Sequence, residues 1–506
     1  MTERADVAIV GGGHNALVAA TYLARAGLKV VVLERLEHVG GAVVSARPFE
    51  GVDARLSRYS YLVSLMPQAL IDDLGLDIEL RSRSTSSYTP YGDNGLLIET
   101  EPGPATRASF RELTGSDDEF EAWQRFYAEI STLTHAIAPT LLHPLPHIGN
   151  IRDQVDMAIW TDLVDEPLGT AITRRFTHDI VRGVVSTDAL VGTFASLFDP
   201  TLVQNRCFLF HLMGNGTGEW RVPVGGMGAL TGALEQRARA AGADIRTNRI
   251  VTSIQATASG TTVHGAGFTL EADWLLSGVA PYALAQLLRD KPPPKPKGSQ
   301  LKVNLLVDRL PRLRSGIDPA VAFAGTFHVD ESFNDLERAY ASAVAGHVVA
   351  AGEIYCHTLT DRSILGPELG ASTAQTLTYF GFHAHADDLD KQAAWRDVMT
   401  ALDRYLAEPL ASVLSKDRHG EPCVEIKATA DVESDLGMPG GNIFHGTLAW
   451  PWLEEGAPAH TPAQRWGVST AHERVLMCGS GATRGGNVSG IAGHNAAHAL
   501  LEFLAT

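Results

Sequence analysis

Gly11, Gly12, Gly13, Ala16 and Glu34 have the types and spacing of a site that holds a dinucleotide. Gly11 permits a tight turn, Gly13 lets backbone approach a pyrophosphate, and Ala16 stands where a helix packs closely on a strand. Free N–H groups at a helix start near His14 and Asn15 would face the negative charge. Glu34 can accept from a ribose 2′-hydroxyl, and its charge disfavours a 2′-phosphate there.

These residues need particular elements to place them. Residues 7–10 are an apolar run, 14–26 repeat apolar residues at helical spacing until Gly27, and 29–33 form a second β-branched run. Strand, glycine turn, helix, strand and acid follow in the order of a dinucleotide-binding βαβ unit. Arg35 comes next, and Gly40, Gly41 and Ala42 form a second small-residue turn.

At 506 residues with 45% apolar content, the chain has ample material for two or three domains. The net charge of −17, from 41 basic and 58 acidic residues, argues against nucleic acid and against electrostatic docking on anionic lipid. No apolar run of about 18 residues is present to span a membrane, which leaves peripheral apolar contact with one open. Residues 1–6 lead straight into the first strand without a targeting segment, so a cytoplasmic location is expected. Cys207, Cys356, Cys423 and Cys478 are scattered, which excludes a CxxC dithiol. His135, His143 and His147 lie among prolines that do not set ligand spacing, and no metal is expected.

Several later stretches are candidates for a site wall. Residues 57–66 mix aromatics with small polar residues, and read equally as a packed loop or as a wall. Residues 301–307 alternate as a strand, so Lys302 and Asn304 face opposite a buried row and meet either water or a site. Residues 377–385 have strand composition with His383 and His385 on one face, and His445 follows a glycine turn. Strand 475–479, loop 480–486 and a closing helix from Ser489 repeat the opening order. The expected fold is α/β, a Rossmann-like domain with an interleaved α+β substrate domain. Residues 1–100, 219–290 and 465–506 would bind the nucleotide, 101–218 and 299–464 would form the substrate or cap domain, and the proline-rich 291–298 would link them.

VGGGHNALVAATYLARAG, ERLEHVGGA, SRYSYLVSLMPQ, VPVGGMGAL, KVNLLVDRLP, LGMPGGNIFHG and LMCGSGATRGGNVSGIAGHNAAHALL run from one end of the chain to the other. In these stretches the sequence resembles the flavoprotein family of phytoene desaturases and carotenoid isomerases. The resemblance implies FAD in a GR2-type fold. Gly11, Gly13, His14 and Asn15 would hold the pyrophosphate, Glu34 the adenosine ribose, and the Val251 backbone the adenine. Gly40 and Gly41 resemble the second glycine pair of FAD-containing oxidoreductases, although the basic residue often found after the pair is here Ala42. Arg35 and Gly278 would adjoin the cofactor, and Gly479, Gly486, Asn487, Val488 and Ser489 would lie under the flavin. A helix starting near Ser489 would turn its positive end toward the flavin edge that gathers charge on reduction.

The leading expectation is an FAD-dependent dehydrogenase that desaturates a C–C bond of a small apolar or cyclic substrate, with a carbonyl-bearing one as an option because a base could then remove the α-proton. Lys302 is the first candidate for a polar group near the reacting flavin nitrogen, since related flavin amine oxidases carry a lysine on the corresponding strand. His445 is a candidate acid or base, with His383 and His385 as a weaker pair. Amine oxidation within an aromatic cage of Tyr59, Tyr61, Tyr379 and Phe380 is the alternative, beside double-bond isomerisation and a flavin-stabilised binding scaffold. The electron acceptor, oxygen or a quinone, is left open.

Overall fold

The computed structural model describes residues 3–385 and 389–505. Two seven-stranded sheets organise them. In the first, Glu3–Val10 lies between two parallel neighbours, Val30–Leu33 and Phe268–Ser277, and Asp244–Arg246 extends the parallel side. Phe268–Ser277 serves two partners in turn. Its first half pairs antiparallel with Gly260–Gly265, and its last three residues pair parallel with Val475–Met477. All four residues of Val30–Leu33 are buried, as expected of a parallel strand covered on both faces.

Helices His14–Arg25, Met227–Ala240 and Ile491–Ala505 cover this sheet. A Cβ on Gly493 would come within 1.9 Å of Asn15 O, so that glycine lets the last helix reach the start of the first. Residues 219–254, which echo the opening motif, prove to be part of the same sheet: helix Met227–Ala240 leads into Asp244–Arg246 beside Val30–Leu33.

The second sheet runs Val424–Lys427, Leu301–Val307, Gln375–Gly381, Gly352–Tyr355, Thr326–Val329, Thr85–Tyr91 and Asn94–Glu99. Strands 85–99, which the sequence reading leaves with the nucleotide-binding segments, thus belong to this sheet. A helical cap, including Asp118–Ile137, Leu168–Arg175, Asp179–Ser186 and Val203–Leu212, shares an apolar core with its Phe380 and Tyr355. Residues 291–297 are extended and largely exposed, and Gly298 N–H donates to Gly440 O at 2.9 Å where the chain enters the second sheet. No described helix is long and apolar enough to cross a membrane.

Candidate functional site

A cavity of about 420 Å³ opens where the parallel strands of the first sheet end, and one edge of the second sheet closes it. Ligands of open α/β sheets bind at this end of the strands.

The glycine turn forms one wall. Gly11 takes φ +89°, a backbone region open to glycine, and a Cβ built on Gly13 would meet no atom within 4 Å. Gly40 N–H donates to Gly12 O at 2.8 Å, which brings the second glycine pair against the first. Glu34 is buried, and its carboxylate accepts from Gly12 N–H at 2.7 Å and from Leu36 N–H at 2.8 Å. A carboxylate has about four acceptor positions, so these two bonds fix its direction and leave others for a ribose. Arg35 also lines the cavity and donates to the carbonyls of Ser434 and Asp435, in the last turn of helix Thr429–Leu436. Ala16, Ala42 and Val251 complete this end.

Close backbone contacts build the opposite wall. A Cβ on Gly278 would sit 2.8 Å from Gly11 O, and one on Gly479 would sit 2.5 Å from Gly278 O, so three chain segments meet where no side chain fits. Gly278, Gly479, Asn487 and Val488 line the cavity. Gly486 and Ser489 stand behind it. A Cβ on Gly486 would be 2.7 Å from Leu448 Cδ2, and buried Ser489 accepts from Ile491 N–H at 3.2 Å, which caps the final helix two residues later than the sequence suggests.

Four polar atoms in this wall are buried without a hydrogen-bond partner among the described residues: His14 Nε2, Asn15 Oδ1, His445 Nδ1 and Asn487 Nδ2. Unsatisfied buried polar atoms are uncommon in proteins, and four clustered on this side of one cavity mark where a ligand with donors and acceptors belongs. Beside the glycine turn and the ribose-directed acid, they fit FAD.

Lys302 lies at the far end, 2% exposed, and Nζ donates to Ser57 O at 2.8 Å and Ser60 O at 3.3 Å. Burial pushes its ammonium well below the ordinary value, against the pull of Glu425. Strand Leu301–Val307 is buried on both faces, and Lys302 pairs across it with Phe380, which also lines the cavity. Residues 57–66 do form a wall, through Tyr59, Ser60, Tyr61, Leu62 and Ser64. His445 adopts φ +63° in a turn organised by Asn442, whose Oδ1 accepts from Phe444 and Gly446 N–H. Burial lowers His445 and His14 to about 4.

Two expectations need correction. Strand Gln375–Gly381 stops before the histidines, so His383 and His385 do not share a strand face. His383 turns into φ +53° and packs on Phe194 and Tyr340, and neither histidine lines the cavity. Tyr379 is absent from the aromatic wall because neighbours on a strand face opposite ways. Its hydroxyl donates to Ala351 O at 3.1 Å.

Sequence reasoning missed His211. It sits on the buried helix Val203–Leu212, lines the cavity, and stacks on Trp220 with centroids 5.1 Å apart. Nδ1 lies 2.8 Å from Cys207 O, so the bond fixes the tautomer with Nε2 unprotonated, and Nε2 has no partner among the described residues. A histidine inside the apolar run from Cys207 to Leu212 was the available signal.

Residues 9–69 match the model of the NAD(P)-binding Rossmann-like domain, and residues 167–424, half of the chain, match that of flavin containing amine oxidoreductases. The chain belongs to the flavin-containing amine oxidoreductase family. Its cofactor is FAD, and it is an FAD-dependent oxidoreductase. An uncharacterized protein of Mycobacterium tuberculosis is 45% identical over 99% of this chain and 98% of its own length. One subunit of the limonene dehydrogenase of Castellaniella defragrans is 40% identical over 125 residues, 22% of each chain. Cyclohexylamine oxidase from Brevibacterium oxydans has the same fold, with a TM-score of 0.58 and 16% identity over 99% of this chain and all of that one.

Proposed function

We propose that this flavoprotein is a dehydrogenase that removes hydride from a C–C bond of a small, uncharged, apolar or cyclic substrate. The observation that supports this best is the charge of the cavity. Glu34, at the adenosine end, is the only acidic residue in the described wall, and around Lys302 the wall is Tyr61, Leu62, Val191, Phe380, Ile443 and Phe444. A substrate ammonium would enter that region without a counter-charge, at a cost of several kcal/mol. An uncharged ring or chain enters by burying apolar surface. Short local similarity to part of a limonene dehydrogenase agrees with this class.

When bound, FAD supplies the hydride acceptor. The chain's own residues hold and shield the reactants. Lys302, fixed by the Ser57 and Ser60 carbonyls, keeps a rigid donor beside the aromatic wall. Phe380, Phe444 and Trp220 exclude water, and His211 Nε2 offers a neutral acceptor to a substrate N–H or O–H. Amine oxidation is the second reading, favoured by family membership.

Anaerobic mixing of the holoprotein with cyclic alkenes, cyclic ketones, polyenes and amines, followed by absorbance of the oxidised flavin, separates the two. Bleaching by an uncharged compound and not by amines is the expected result. Bleaching by amines alone would replace dehydrogenation with amine oxidation.

A further inference from the structure

A line of buried polar side chains leads away from the cavity, and nothing above uses it. Cross-strand pairing lays it out. Lys427, Lys302, Phe380, Glu353 and His328 stand opposite one another, strand after strand, across the second sheet. Lys302 and Phe380 face the cavity, so Glu353 and His328 continue on the same face beneath the cap. Tyr355, two residues beyond Glu353, shares that face, and its hydroxyl donates a very short hydrogen bond to Glu353 Oε2. The Tyr355 ring lies 4.5 Å from that of Tyr61, so the two phenols pack side by side and each bears on the other's ionisation. Tyr61 is itself in the cavity wall.

Beyond Glu353 the line ends in a pair, His328 Nδ1 and Glu331 Oε2, 2.5 Å apart. Glu353, His328 and Glu331 are each at most 3% exposed. A carboxyl group so deep is costly unless it performs a task or is held neutral. The charged and titratable groups facing Glu353 are Glu331, His328, Tyr355 and Asp188, with the buried Arg83 guanidinium and Tyr61 bearing on the same cluster. Burial raises Glu353 to about 8, with Glu331 adding to the rise, while burial lowers His328. Burial thus works against charge on both members of the terminal pair, and Glu353 is the group in the line whose midpoint falls near neutrality.

We propose that Tyr61, Tyr355 and Glu353 form a proton conduit that joins the cavity to a buried carboxyl, with Glu353 as the group that takes up and returns the substrate's proton. The proposal rests on the dehydrogenase reading, in which a substrate loses a proton as well as a hydride. With Glu353 ionised, as it is on the alkaline side of its midpoint, an occupant's X–H proton passes to the Tyr61 oxygen while the Tyr61 hydroxyl proton passes to Tyr355 and that of Tyr355 passes to the Glu353 Oε2 carboxylate oxygen; the carboxylic acid so formed returns a proton by the reverse path. Three bonds to hydrogen break and three form, one proton moves, and the hydride goes separately to FAD. Tyr61 would touch the substrate; Tyr355 and Glu353 act through it.

Infrared spectroscopy of the full-length holoprotein over a pH series tests this without a substrate. The Glu353 carboxylic C=O band, assigned by its loss in Glu353→Gln, is expected to persist through neutral pH and vanish on the alkaline side. Tyr61→Phe, which removes one oxygen in the cavity wall, should shift the band and move its midpoint by about half a pH unit or more. A band untouched by Tyr61→Phe overturns the conduit. A second readout separates a conduit from a distant charge: the flavin midpoint potential against pH should show a change of slope at the Glu353 midpoint that Tyr355→Phe removes. Persistence of that change in Tyr355→Phe means that Glu353 acts only through space, and the proposal falls. If the compound panel fails while both signals appear, the substrate reading is lost and the conduit stands.

Discussion

Glu353 sets a pH dependence whose sign follows from its burial. Its carboxyl is raised from 4.5 to about 8 in the folded chain, so the native state holds a proton that the unfolded state releases. The stability this proton confers is complete below 4.5 and is lost as the pH rises toward 8. Glu353→Gln keeps the shape and removes the titration, so its thermal midpoint should fall less than the wild type's between pH 5 and pH 8. Equal slopes in the two proteins would show that Glu353 is not buried neutral. Glu34 makes a second prediction at this scale. It braces Gly12 and would face the ribose, so Glu34→Ala should weaken FAD binding by about 1.4–2.8 kcal/mol, roughly 10- to 100-fold in Kd, measured by equilibrium dialysis. The place of Glu34 beside the glycine turn was legible because it depends on local spacing alone. His211 and Glu353 were not, since each acquires its meaning from a helix or strand partner far away in the chain.

Among the elements, the loop from Ser480 to Gly486 is the one whose fixing the sequence concealed. Arg484 is 1% exposed and faces no carboxylate among its hydrogen-bond partners; its guanidinium donates to Thr140 O, His143 O at 2.8 Å and Pro451 O at 2.9 Å. Burial accordingly lowers it to about 9. This loop beside the cavity is thus clamped to the end of the cap helix and to the segment after His445. Arg484→Met should destabilise the protein by about 3 kcal/mol, because several buried carbonyls lose their donor together. Urea unfolding measures that loss, and limited proteolysis should show new cleavage within 480–488. Periodicity did reveal the βαβ opening, the strand carrying Lys302 and the final helix. It failed at 377–385, where strand composition continues past Gly381 although the backbone turns at His383. Composition records which residues tolerate a strand, whereas the end of pairing depends on the neighbouring strand Gly352–Tyr355.

At the scale of the whole molecule, the cavity is where both sheets and the cap meet, and its wall draws on residues from Val10 to Val488. A dinucleotide bound there touches chain segments that otherwise meet mainly around an opening with five unsatisfied polar atoms among the described residues. Binding to the native state alone stabilises it by about 2.7 kcal/mol at a free ligand concentration one hundred times Kd. FAD should therefore raise the thermal midpoint of the stripped protein progressively with concentration, and no saturating plateau should appear at the binding stoichiometry. Hydrogen exchange locates the effect. Amides near Gly12, Gly40, residues 437–445 and residues 479–488 should gain protection together on addition of FAD, because the cofactor closes one space that all of them line. Strands Thr326–Val329 and Asn94–Glu99, remote from the wall, should change little. Protection confined to the glycine turn would mean that only the adenosine half of the cofactor is held, and the assignment of Lys302 and His445 to the flavin end would fall with it.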